Sequence, residues 1–147
     1  MTTEFTLISC SKSKLDGTHQ ARDLYTESTI FKKRKEFAHQ HGGKWGILSA
    51  KYGYLRPWEH TAYYQKHISE RSDIWGVFVL QDLLPTLEYH NIDQVIILAG
   101  SRYIEPIKKP LENNGYTVID WNKGKMPGER MQALDEENKP GTQTTFE

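Results

Sequence analysis

Apolar residues gather in four short runs along the chain. Residues 5–10 are entered from polar positions, residues 45–50 follow Gly42-Gly43, residues 94–99 carry Val-Ile-Ile-Leu, and residues 116–121 follow Gly115. None of the four alternates strictly between apolar and polar. A strand with one wet face alternates, whereas an unalternated run suits a strand covered on both faces, as in a parallel sheet. Helical spacing fills the intervals. Residues 28–41 open on Ser28, a capping type, stop at Gly42, and carry Ile30, Phe31, Phe37 and Ala38 as an apolar stripe. Residues 73–89 place Ile74, Val77, Phe78, Leu84 and Leu87 near helical spacing, with Pro85 expected to bend or shorten the helix. Residues 102–114 read as a helix broken at Pro106 and Pro110, and residues 129–137 as a last helix.

Strand and helix therefore alternate, which is the order of an α/β layered fold. The pattern predicts a single three-layer α/β domain over residues 1–137, with a mostly parallel, roughly four-stranded sheet. Residues 55–69 fit neither period and read as a long ordered loop or small insertion, a place where function often sits. Residues 138–147 are polar, contain Pro140 and Gly141, and read as a flexible C-terminal tail.

Composition narrows the class. A chain of 147 residues, 37% hydrophobic and 26% charged, can bury a core of its own and is neither of the disordered nor of the membrane type. Lys plus Arg and Asp plus Glu number 19 each, so no net charge announces a nucleic-acid partner, and such a case must rest on where the charges lie. The one cysteine, Cys10, allows no internal disulfide, as expected in the cytoplasm. Residues 1–5 lack the basic-then-apolar start of a signal peptide. No apolar run approaches the roughly 20 residues that a spanning helix needs, so no membrane partner is expected.

Candidate chemistry follows from the sheet. In open parallel sheets, ligands bind outside the carboxyl ends of the strands. The first run ends at Cys10 and is followed by Ser11, Lys12, Ser13 and Lys14. The second closes on Ser49 and is followed by Lys51, Tyr52 and Gly53. Gly100, Ser101, Arg102 and Tyr103 follow the third, and Lys123, Gly124, Lys125, Gly128 and Arg130 follow the fourth. In a parallel sheet these loops share one edge. Small residues let the backbone approach a phosphate, helix N–H groups favour an anion, and hydroxyls and cations complete the cradle. Tyrosine faces can stack bases. No Walker or dinucleotide glycine fingerprint occurs and no metal-ligand spacing stands out among the six histidines, so neither a cofactor nor a metal is expected. The basic run Lys32-Lys33-Arg34-Lys35 sits mid-helix and reads as a solvated face.

The motifs also resemble known proteins. The runs Leu7-Ile8-Ser9-Cys10-Ser11-Lys12-Ser13-Lys14, Ala21-Arg22-Asp23-Leu24-Tyr25 and Ile47-Leu48-Ser49-Ala50-Lys51-Tyr52-Gly53 resemble a broad family of largely uncharacterised bacterial, archaeal and phage proteins. That family is in turn similar to the YaaA peroxide-stress proteins. Their Leu-Ser-x-x-Tyr-Gly, Leu-Arg-Pro and following Tyr resemble Leu48-Ser49 with Tyr52-Gly53, then Leu55-Arg56-Pro57, then Tyr64. A second signature, Leu-Ala-Ser-x-x-Tyr, resembles residues 98–103 with Gly100 as an insertion. The resemblance implies a Rossmann-like, YaaA-related core and DNA-binding activity.

Taken together, these features lead to the expectation of an enzyme acting on nucleic acid or a nucleotide by hydrolysing an N-glycosidic bond. That reaction needs a carboxylate, aromatics around an extruded base, and cations on the flanking phosphates. Asp23 and Glu59 are the carboxylates nearest the motifs and are expected to be catalytic. Cys10, Ser11, Lys12, Lys14, Arg22, Tyr25, Ser49, Lys51, Tyr52, Gly53, Tyr64, Gly100, Ser101, Tyr103, Gly128 and Arg130 are expected to hold a DNA or nucleotide ligand. The alternatives are a non-catalytic DNA-binding protein of stress response and an interaction module whose polar edge is incidental.

Overall fold

The computed structural model describes residues 2–146, apart from the side chain of Pro127. Its elements run β1 (Glu4–Ser9), β2 (Thr18–Gln20), α1 (Ala21–Leu24), α2 (Thr29–Gln40), β3 (Trp45–Ser49), β4 (Gly53–Leu55), β5 (His60–Ala62), α3 (Trp75–Tyr89), β6 (Gln94–Leu98), α4 (Ser101–Asn113), β7 (Thr117–Asp120) and α5 (Pro127–Glu137), with a 3₁₀ turn at Ile68–Glu70. The four expected strands are β1, β3, β6 and β7, all mutually parallel. The main sheet has a fifth, β4, which folds back antiparallel on β3 and makes the order β4-β3-β1-β6-β7. A second, two-stranded sheet pairs β2 with β5, the latter inside residues 55–69, which fit neither period.

The unalternated runs have the expected cause. Every residue of β3 and β6 is buried, as is β1 beyond Glu4, because helices cover the sheet. Helix α2 packs on β1 and on α5, while α3 packs on β4 and on α4, and α4 on β7. Right-handed crossovers put these two helix groups on opposite faces of the sheet. The chain leaves β1 toward β3 in one direction and leaves β6 toward β7 in the other. Its path therefore diverges between the neighbours β1 and β6.

The prolines do not break their helices. Helix α3 runs through Pro85, and α4 through Pro106 and Pro110. Each proline frees the carbonyl four residues back. The one freed by Pro106 belongs to Arg102, and the Arg71 guanidinium donates to it at 3.2 Å. Residues 138–146 lie back across the structure. Thr144 donates through its backbone N–H and its hydroxyl to Glu137, and Gln94 donates to the carbonyl of Phe146. The ring of Phe146 stacks against His41, itself held between Glu137 at 3.0 Å and Glu4 at 3.5 Å. Burial pushes the Glu137 carboxyl up, but the hydrogen bonds from Thr144 and His41 outweigh it and leave the group below the usual range.

Helices α3 and α4 touch where Gly76 meets Pro106. A Cβ on Gly76 would lie 2.8 Å from Pro106 Cβ and 3.0 Å from its carbonyl oxygen. Alanine is the better helix former by about 1 kcal/mol, yet overpacking against a backbone costs about 1–3 kcal/mol. Gly76→Ala is expected to be net destabilising by about 1–2 kcal/mol, read as a lower midpoint in urea at unchanged slope. A midpoint equal to or above that of the parent would show that the two helices part without cost.

Candidate functional site

Parallel pairing carries the ends of β1, β3, β6 and β7 to one edge, as the loop argument requires. At that edge a cleft of about 820 Å³ opens between the loop after β1, residues 63–70 and the first turn of α4. Cys10, Ser11, Lys12 and Lys14 line it from the first loop, Tyr103 from α4, and Tyr63, Gln65, Lys66, His67, Ile68 and Glu70 from the irregular stretch. A cavity of about 390 Å³ lies at the opposite edge, beside Thr3 and His41, and one of about 470 Å³ lies between Trp121, Lys125 and residues 142–146.

The irregular stretch is pinned in place by the segment before α1. Ala21 donates to the carbonyl of Glu59 at 2.8 Å, Arg22 to that of Pro57 at 2.8 Å, and Tyr63 to that of Gly17 at 2.9 Å. Behind the cleft these contacts bring Tyr25, Tyr64 and Ser49 together. Ser49 Oγ donates to the Tyr64 hydroxyl at 2.9 Å, and the Tyr25 and Tyr64 hydroxyls share a bond of 2.7 Å. Ser49 Oγ also accepts from the N–H groups of Lys51 and Tyr52, which turns the chain from β3 into β4. All three residues are buried. Their hydroxyls bond to one another, and none of the three is among the residues that line the cleft.

Nearer the opening, Cys10 Sγ lies 3.3 Å from the Tyr103 hydroxyl, joining the ends of β1 and β6 across the divergence. The Lys14 ammonium sits 4.5 Å from the centre of the Tyr64 ring and donates to the carbonyl of Lys12 at 3.2 Å. Partial burial lowers its pKa. Burial first, and the neighbouring Cys10 next, raise the pKa values of Tyr25, Tyr64 and Tyr103.

The other expected residues are more scattered. Ser11 is half-buried and Ser101 exposed at the edge, and Gly100 leaves open space where a side chain would be. Lys51 is exposed, with its ammonium 5.2 Å from the centre of the Tyr52 ring; Tyr52 in turn meets Tyr64 edge-on. Gly53 opens β4 at a φ of +76°, and Gly128 lies in the first turn of α5. Arg22 and Asp23 are exposed on α1, and neither lines the cleft. The Glu59 carboxylate takes the N–H and the guanidinium of Arg56 at 3.0 and 2.9 Å. Neither carboxylate expected to be catalytic lines the cleft; the one that does is Glu70, one of whose oxygens accepts from the His67 N–H at 2.9 Å.

One residue at this edge went unread in the sequence. Arg34 of α2 turns inward, and its Nη1 donates to Ser9 Oγ at 2.7 Å while its Nε is buried without a partner. Burial, then the charge of Arg130, lowers its pKa to about 10. Helical spacing carried the signal, since Arg34 falls in the stripe Phe31, Ala38 and His41 and not with the solvated Lys32.

A family of unknown function (DUF6884) matches residues 5–136, and the chain belongs to that family. No curated protein and no solved structure matches it.

The buried tyrosines generate a test. An unfolded tyrosine ionises near pH 10, whereas Tyr54, which burial pushes up to about 12, and Tyr25, Tyr64 and Tyr103 hold their protons to higher pH in the fold. Their contribution to stability is complete below about pH 10 and is lost as the pH rises further. The melting temperature should fall steeply above about pH 10, with part of the tyrosinate absorbance appearing only on unfolding. All eight tyrosines ionising together in the folded protein would contradict this wall.

Proposed function

We propose that this chain is an enzyme acting on a nucleotide or a nucleic-acid strand, which it holds by phosphate in the strand-end cleft and hydrolyses at an N-glycosidic bond. The observation that supports the reading is the company in the cleft: the ammonium groups of Lys12, Lys14 and Lys66 beside the tyrosines Tyr63 and Tyr103, at the divergence of a mostly parallel sheet. Cations and aromatic faces suit a phosphate and a base. We read the sheet as Rossmann-like, with the ligand in the crevice such sheets use. Glu70 is the carboxylate positioned for the chemistry: water adds to the sugar carbon as the base departs with a proton, and Glu70 takes the proton of that water or faces the oxocarbenium-like carbon. The lone thiol agrees with a cytoplasmic site of action.

One observation favours a second reading, a non-catalytic DNA-binding protein of the YaaA kind. Asp23 and Glu59 lie outside the cleft, and Glu70 is half engaged by the His67 N–H.

Fluorescence anisotropy with short single-stranded oligonucleotides, together with chromatographic detection of free base, tests both readings. Binding should weaken about tenfold between about 50 and 200 mM salt, as two or three phosphate contacts dictate. Lys14→Ala should weaken it alike for all sequences. Glu70→Gln should keep binding and lower base release about 100-fold or more. Binding without base release by the unaltered protein would favour the second reading, and no binding at low salt would contradict both.

A further inference from the structure

We propose that Arg34 and Arg130 seat a phosphate monoester at the end of β1, as the anion subsite of the strand-end cleft. The inference rests on the reading that this cleft takes a phosphate-bearing nucleotide.

The geometry begins with a charge in the wrong company. Arg34 lies on the covered side of α2, held to Ser9 by one nitrogen while its buried Nε has no partner. Among the described residues, no carboxylate lies within ion-pair range of Arg34 or Arg130. Helix α5, which packs on α2, brings a second cation, Arg130, near enough for its charge to oppose that of Arg34, and the Arg130 Nε donates to the carbonyl of Lys125 at 3.0 Å. By contrast Lys33, the preceding residue on α2, pairs with Asp135 of α5. A partly buried guanidinium facing another cation is costly, and proteins hold such a charge only when something offsets it. Here the protein supplies no counter-charge, so a bound anion is the natural one.

The type of anion follows. Two planar guanidinium forks match phosphate oxygens in pairs. Two cations balance a dianion, which a monoester is near neutral pH and an internal phosphodiester is not. The location fits the same ligand: Arg34 holds Ser9, the residue before Cys10, and Cys10 lines the cleft. Gly100, which starts α4 at the neighbouring strand end, leaves open space where a side chain would be.

The test uses the full chain with inorganic phosphate as probe, followed by thermal shift and calorimetric titration. A nucleoside 5′-monophosphate and the same nucleoside without phosphate then separate free phosphate from nucleotide. Phosphate should raise the melting temperature of the unaltered protein, and Arg34→Met and Arg130→Gln should each lose at least tenfold in phosphate affinity. Lys32→Ala, from the exposed side of the same helix, should lose less than twofold. Arg34→Met should bind the nucleoside as before and the monophosphate more weakly. Without phosphate it should melt at or above the parent, because the unpaired charge is gone, whereas a purely structural role through Ser9 would lower it. Should Arg34→Met not fold, Arg130→Gln carries the test with the same outcomes. An equal phosphate response in Arg34→Met, an equal loss in Lys32→Ala, or no phosphate binding by the unaltered protein would overturn the inference. A phosphate response that depends on Arg34 in a protein that binds no oligonucleotide and releases no base would sink the proposed function and leave the anion seat standing.

Discussion

Strand β1 is hydrogen-bonded on both sides, to β3 and to β6, and nearly all of it is buried. A central strand with no free edge must hand its chain on at the end of the sheet. Its neighbour β6 does the same, and the two crossovers leave in opposite directions. The gap between their ends is a consequence of that pairing. Cys10 and Tyr103 meet across it, the cleft opens above it, and Arg34 stands beside it through its bond to Ser9. The position of the site thus follows from the pairing, and its chemistry from which side chains happen to close the strands.

The cleft needs a second wall, and the main sheet does not provide one. Residues 63–70 do, held in place by the small β2–β5 sheet and by backbone hydrogen bonds to residues 17–22. Tyr25, Tyr64 and Ser49 lock that wall to the end of β3 through buried hydroxyls. Polar groups in such a place stabilise only when every one of them is satisfied. The features that make Ser and Tyr good at gripping a ligand also make them good at tying two loops together, so residue type alone does not separate the two roles.

The main elements were legible because burial on both faces removes alternation, as β1, β3 and β6 show; β7, at the sheet edge, is only half-buried and was marked instead by the Gly115 that precedes it. Strands β2, β4 and β5 have three residues each, too few for any period to register. The prolines misled because the cost of a lost helical bond depends on whether the freed carbonyl finds another donor, and Arg71 is 31 residues away in sequence. For the site, the edge itself was readable from strand ends alone. Which carboxylate reaches it was not: Asp23 is near the motifs in sequence but exposed on α1, while Glu70 arrives through a 3₁₀ turn. Arg34 was hidden by its basic neighbours, although its helical phase with Phe31 and His41 marks it as inward.

The central claim is that the divergence between β1 and β6 is where this protein meets its ligand. Backbone amide chemical shifts during titration with a nucleoside 5′-monophosphate test it most directly. The account requires the largest changes at residues 10–14, 63–70 and 100–103, with little at the opposite edge around Thr3 and Lys44. Changes centred on that opposite edge, or on the tail beside His41, would contradict it.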